Sequence, residues 1–354
     1  MAEDVYTDRR RRLQARLRTI DADAVICAPS RNLQYLTGLE MEPSERHFLL
    51  VVPASGPPTA LVPALEETAV RETTSVAAVY TWRDDDDPRA AVRSLLTSVG
   101  VRGGRLLVDD TMWAQFTQDL RAVAPDATWG LASEALTALR ITKDESELDA
   151  LRAAAAAADA TVEDLRARDD VIGTTEAALA AWIRERLAAH GGSGVAFEPI
   201  VAAGENGAKP HYRHGDREIS AGDPVVCDFG TRVDGYPSDT TRTFVAGSDP
   251  SPAYERVHGT VRDAQVAGID AIEPGATTGA VDDAARSVVD AAGYGDAFVH
   301  RTGHGGGLEV HEPPYVVADG ERTLESGMVC SVERGIYIEG GFGSWIDDLV
   351  IVTE

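Results

Sequence analysis

The stretch at residues 225–244, VVCDFGTRVDGYPSDTTRTF, leaves few folds open. Two apolar-edged strands flank Asp234-Gly235, a dipeptide suited to the left-handed backbone of a tight hairpin turn. With those two residues as the turn, Gly230 lies opposite Asp239, and Asp228 stands two residues further along its strand. Side chains two apart share a face, and diagonal partners across a hairpin lie within reach of a bridging group. Asp228 and Asp239 therefore aim at one point, with Gly230 leaving room between them. Two carboxylates held that close repel, and one must keep a proton unless a cation neutralises them. The expectation is a divalent-metal site; the plain alternative is a solvated hairpin with ordinary surface acids.

Three later segments add ligand-type side chains. TGHGGGLEVHEPPY supplies His304 and His311, MVCSVERGIY supplies Glu333 at the end of a buried strand, and SWIDDLVIVTE supplies Asp347 and Asp348. Alternation puts Val329, Ser331 and Glu333 on one face. A three-residue turn centred on Gly340 sets Glu333 opposite Asp347, whereas a two-residue turn at Gly340-Gly341 selects Asp348; the sequence leaves that register open. Four carboxylates and a histidine suit ions such as Mn²⁺, Co²⁺ or Fe²⁺. Two ions ~3.5–4 Å apart need bridging carboxylates and hold a shared hydroxide, which attacks a carbonyl without any protein nucleophile. HExxH and GxSxG patterns are absent. The glycine run at 303–307 lacks the Lys-Ser/Thr of a phosphate loop and reads as a close backbone approach.

Around these segments, 354 residues suffice for two domains with real cores. Residues 1–134 alternate short strands and helices, the pattern of a small α/β domain. They include an N-cap at Thr7-Asp8, strands near 24–28, 47–53, 59–63 and 105–109, and a helix near 111–123. Residues 135–354 run as helices followed by antiparallel hairpins, twice over, which predicts an α+β domain. Its opening, ALRITKDESELDALRAAAAAADATVEDLRA, reads as one long amphipathic helix. Cys27, Cys227 and Cys330 lack metal-type spacing and lie in apolar runs, as buried thiols in a reducing compartment do.

The 33 basic and 58 acidic residues give a net charge of -25, which repels nucleic acid and anionic membranes. Only Lys143 and Lys209 are lysines, and an aspartate-rich, lysine-poor surface suits a salty cytoplasm that screens self-repulsion. MAEDVYTDRRRR has no apolar stretch behind its charge, and no run approaches the ~18 apolar residues of a membrane span, so a cytoplasmic protein is expected.

The segments PHYRHGD, CDFGTRVDGYPSDTTRTF, RTGHGGGLEVHEPP, GMVCSVERGIY and IDDLVIVTE, in that order, resemble the pita-bread metallopeptidases: prolidase, Xaa-Pro aminopeptidase and, more distantly, methionine aminopeptidase. YLTGLE and LRITKDESELDALR resemble the branch that carries a creatinase-like first domain. The resemblance implies a C-terminal pita-bread domain behind a creatinase-like N-terminal α/β domain. It implies two divalent ions (Mn²⁺ or Co²⁺, with Fe²⁺ or Zn²⁺ as alternatives) on Asp228, Asp239, His304, Glu333 and Asp347, with Asp239 and Asp347 bridging. It further implies that Glu333 orients and deprotonates the attacking water, and that His211 and His311 contact substrate. The implied reaction is cleavage of Xaa-Pro bonds in short proline-containing peptides by a homodimer. Alternatives are a C–N hydrolase on a creatine- or ectoine-like solute, and a catalytically impaired homologue. Three positions depart from the family pattern: Asp347 replaces the usual glutamate, Trp345 an arginine and Arg334 a proline.

Overall fold

The structure, a computed structural model, describes residues 4–354. The chain forms two compact units that divide between Arg140 and Ile141. The helix Ser133–Arg140 packs on the first helix, Val5–Thr19, and so closes the first unit beyond the 134/135 boundary read from sequence.

In the first unit, strands β1 (Ala24–Cys27), β2 (Leu49–Pro53), β3 (Thr59–Pro63), β4 (Ala78–Trp82), β5 (Gly104–Val108) and β6 (Ala127–Leu131) form one sheet in the order β4-β3-β2-β1-β5-β6. β1 pairs antiparallel with β2 and parallel with β5. Ile26, Leu49, Val51 and Leu106 pack against Val92, Leu95 and Leu96 of the helix Pro88–Val99. The first helix starts at Val5 behind Asp4, earlier than a Thr7-Asp8 cap would place it, and the later helix spans only Ala114–Val123.

The stretch expected as one long helix is two, Ser133–Arg140 and Glu145–Arg166, broken at residues 141–144. Asp144 accepts from the Glu147 amide at 3.0 Å and Glu147 accepts from the Asp144 amide at 3.0 Å, a reciprocal cap that restarts the helix. The extended residues between them serve the sheet: Thr142 bridges to Met328, and the buried Lys143 ammonium pairs with Glu312 at 3.0 Å.

Strands β7 (Ile200–Ala203), β8 (Pro224–Phe229), β11 (Thr240–Val245), β12 (Gly303–Gly305), β13 (Glu312–Val316), β14 (Val329–Tyr337) and β15 (Gly343–Ile351) build a seven-stranded sheet in the order β13-β12-β14-β15-β11-β8-β7. β9 (Arg232–Val233) and β10 (Tyr236–Pro237) form the tip of the β8–β11 hairpin. Asp234 and Gly235 close it with φ of 49° and 83°, the backbone the dipeptide predicts. The helix Pro252–Asp270 packs on β14 and β15, where Ile336 and Ile346 join Val257, Val261 and Ala264. Alternation turns Glu333 and Asp347 to the opposite face. All three cysteines are buried and unbridged. Among the described residues no helix is long and apolar enough to cross a membrane.

Candidate active site

Two hairpins bring the acidic side chains together. In β14–β15 the turn centres on Gly340, with Tyr337 opposite Gly343 and Glu333 opposite Asp347. In β8–β11, Thr241 lies opposite Asp228, and β11 joins β15 through Thr241 and Asp347. Glu333, Asp347, Thr241 and Asp228 thus form one row across four strands, and directly opposed residues share a face. Asp239, two residues before Thr241, falls on the same face. The alternative partner, Asp348, points the other way, accepting from Arg242 at 2.6 Å and Gln265 at 2.8 Å.

His304 enters from β12. Its amide donates to the Ser331 hydroxyl at 3.0 Å, and its Nδ1 meets the Gly305 carbonyl at 3.1 Å. That leaves Nε2 facing Glu333 at 3.0 Å and Asp239 at 3.6 Å. The His311 ring lies 4.2 Å from that of His304, and ligand atoms of Asp239, His304 and His311 all lie within 4.8 Å of one another. His311 is open to solvent. His211 stands on a loop, exposed, with a left-handed φ of 55°. After burial, its charge is among the causes that lower the pKa of both His300 and His311, so it lies within electrostatic reach of the site.

The close approaches are made by glycine. A Cβ on Gly303 or Gly305 would strike the carbonyl of Ser331 or Pro313, as the glycine run predicts. Gly230 needs its missing side chain for a different reason from the one expected: a Cβ there would strike the Ser238 carbonyl, not crowd the carboxylates.

Asp228, Asp239 and Asp347 are buried, and among the described residues no lysine or arginine pairs with them or with Glu333. Burial, then the charge of Glu333, pushes Asp228 up to about 8. Asp239 and Asp347 are likewise raised well above the usual carboxylate range, by burial first and then by their fellow acids. Glu333 goes the other way: burial opposes it, but the His304 contact, His300 and the Ser331 hydroxyl, which donates at 3.0 Å, hold it at about 2. One oxygen each of Asp228 and Asp347 is buried without a hydrogen-bond partner. Buried acids without a counter-ion are costly, and orphaned oxygens among four carboxylates and an imidazole fit a multivalent cation. The donor set suits divalent metal ions.

The departures from the family pattern sit beside this row. Trp345 is buried on the face of Asp347, its ring 5.7 Å from His300. Arg334 is fully buried on the other face, stacked 4.6 Å over Phe298 and donating to the Thr302 hydroxyl. Two charged supports escape a sequence reading: the Lys143–Glu312 pair beside the glycine run, and Glu176, a buried carboxylate under the His211 loop. Glu176 follows the capping Thr175 and looks like any acidic first-turn residue.

Residues 149–354 match the metallopeptidase family M24, and residues 9–142 match the creatinase/prolidase N-terminal domain. The chain is 42% identical over 360 residues to "Probable dipeptidase PepE" of Mycobacterium tuberculosis, covering 99% of this chain and 93% of that protein. It is 34% identical over 349 residues to the Xaa-Pro dipeptidase of Lactobacillus helveticus, covering 97% and 94%. The crystal structure of a recombinant prolidase from Thermococcus sibiricus superposes with a TM-score of 0.94 at 34% identity, covering all of this chain and 96% of that one. The chain therefore belongs to metallopeptidase family M24, a pita-bread hydrolase with a creatinase/prolidase N-terminal domain.

Proposed function

We propose that this metallopeptidase is a dinuclear exopeptidase that hydrolyses the Xaa-Pro bond of dipeptides or peptide N-termini. The carrying observation is the convergence of Asp228, Asp239, His304, Glu333 and Asp347 with orphaned carboxylate oxygens and, among the described residues, no balancing lysine or arginine. These five would hold two divalent ions, Mn²⁺ or Co²⁺ by the hard-to-borderline character of four carboxylates and an imidazole. When bound, such a pair supplies an activated water and neutralises charge that develops on the scissile carbonyl.

The chain's own groups do the rest. The Ser331 hydroxyl donates to Glu333 at 3.0 Å, which favours its carboxylate form, so Glu333 can accept a proton from the attacking water. His311, whose ring lies 4.2 Å from that of His304, and the exposed His211 are the imidazoles that would donate to the carbonyl oxygen as it gains charge. The buried row excludes bulk water, which strengthens each of these interactions.

Short proline-containing peptides would be the substrates. A cytoplasmic homodimer adapted to high salt is part of the same proposal; the net charge of -25 supports the last. The test is hydrolysis of Xaa-Pro dipeptides and of longer Xaa-Pro peptides with added Mn²⁺ or Co²⁺ in molar KCl. Turnover that disappears with chelator is expected; no turnover on any of them contradicts the proposal.

A further inference from the structure

Glu176 is fully buried at the first position of the helix Glu176–Ala189. Its Oε1 accepts from the Ala203 amide at 2.8 Å and from Asn206 Nδ2 at 3.0 Å; its Oε2 accepts from the Tyr212 hydroxyl at 3.0 Å and the Gly215 amide at 3.2 Å. Three of these donors lie within residues 206–215, the segment that carries His211. The backbone of the helix start completes the hold. The Glu176 amide donates to the Arg217 carbonyl at 3.0 Å, and the Ala177 amide to the Gly215 carbonyl at 3.0 Å. The first-turn amides of a helix lack partners within it, so they are free to take these carbonyls. The carboxylate, acceptor-only on both oxygens, takes the segment's donors. A glutamine of the same shape would turn an N–H toward donors.

His211 needs such a hold. A side-chain-bearing residue at φ 55° is strained and persists only where its flanks fix it. On its C-terminal side Tyr212 is bound to Glu176; on its N-terminal side Lys209 donates to Asn206 Oδ1 at 2.8 Å, and the Lys209 carbonyl accepts from the Tyr212 amide at 3.2 Å. The Tyr212 ring also packs against Trp345, Val226 and Ala202, beside the acidic row.

We infer that Glu176 is a positioning residue for hydrolysis, acting through residues 206–215 to hold His211 against the substrate side of the site. This rests on the role proposed for His211 above. The experiment is a double-mutant cycle on the metal-loaded full-length chain with an Xaa-Pro dipeptide. Glu176→Gln should lower kcat/KM about 10- to 100-fold, as loss of a group that orients a functional side chain does, at unchanged metal content. His211→Ala should be impaired, and the double variant no worse than His211→Ala within about twofold, because coupled residues do not add. Losses that multiply overturn the positioning role and leave the His211 role standing. A fully active His211→Ala overturns both.

Hydrogen exchange supplies an arm independent of turnover. Glu176→Gln should speed exchange across 206–215 and leave β14 and β15 unchanged; unchanged exchange in 206–215 overturns the hold even if no Xaa-Pro peptide is cleaved. Should Glu176→Gln fail to fold, Tyr212→Phe removes a single donor. A smaller loss, again absorbed in the His211→Ala background, is expected of it, and a multiplicative loss contradicts the inference.

Discussion

Glu333 and Asp347 face each other directly across β14 and β15, and Thr241 joins Asp347's strand to β11, which begins just after Asp239. One row therefore gathers acids from two hairpins that lie a hundred residues apart in the chain. Without cations, that row is a reservoir of repulsion in a buried place.

This repulsion has a pH signature. A carboxyl whose folded pKa lies above its unfolded value binds more protons when folded, so its contribution is present at low pH and lost as pH rises through the folded pKa. Asp228 moves from 3.8 to about 8, so the metal-stripped protein should lose stability between those two pH values. Asp239 and Asp347 act in the same direction. Glu333, held at about 2 from 4.5, acts oppositely but only in acid. Thermal melts of the stripped protein should fall more steeply with pH for the wild type than for Asp228→Asn. Equal slopes contradict the prediction.

Lys143→Met should destabilise the protein by about 3–5 kcal/mol, because it removes one member of a buried ion pair, the ammonium 3.0 Å from the Glu312 carboxylate. Denaturant unfolding at saturating Mn²⁺ measures this. A loss under about 1 kcal/mol would show that Glu312 finds other solvation.

High salt should stabilise the chain. With a net charge of -25, self-repulsion over most of the surface is screened as the Debye length falls to about 3 Å in molar salt. Melting in dilute buffer and in molar KCl, both with metal bound, should show a clear rise in the second; equal melting temperatures oppose salt adaptation.

Much of the site is legible in local sequence, because hairpins fix register over short distances. Asp234-Gly235 alone places Asp228 and Asp239 on one face. Gly340 and Gly341 each suit a turn, so local sequence leaves the pairing of Glu333 open between Asp347 and Asp348; the Ile338 amide, donating to the Phe342 carbonyl at 2.9 Å, decides it. Other features are not local. That β15 lies against β11 depends on strands far apart in sequence. The break at 141–144 is hidden because apolar spacing continues through it, although Asp144 and Glu147 spell a capping box. Glu176 carries no mark of its role, since its partners at 203–215 are supplied by the tertiary fold. Gly230 is of the same kind: the atom a Cβ there would strike, the Ser238 carbonyl, is fixed by the hairpin's backbone path.

The most direct measurement is the metal content of the purified chain after equilibration with Mn²⁺, in the wild type and in Asp228→Asn, His304→Ala and Asp347→Asn. Two ions per wild-type chain are expected, with each substitution lowering occupancy and activity together. A wild type that retains no ion, or variants that bind as many as the wild type, would contradict a metal centre built from this row.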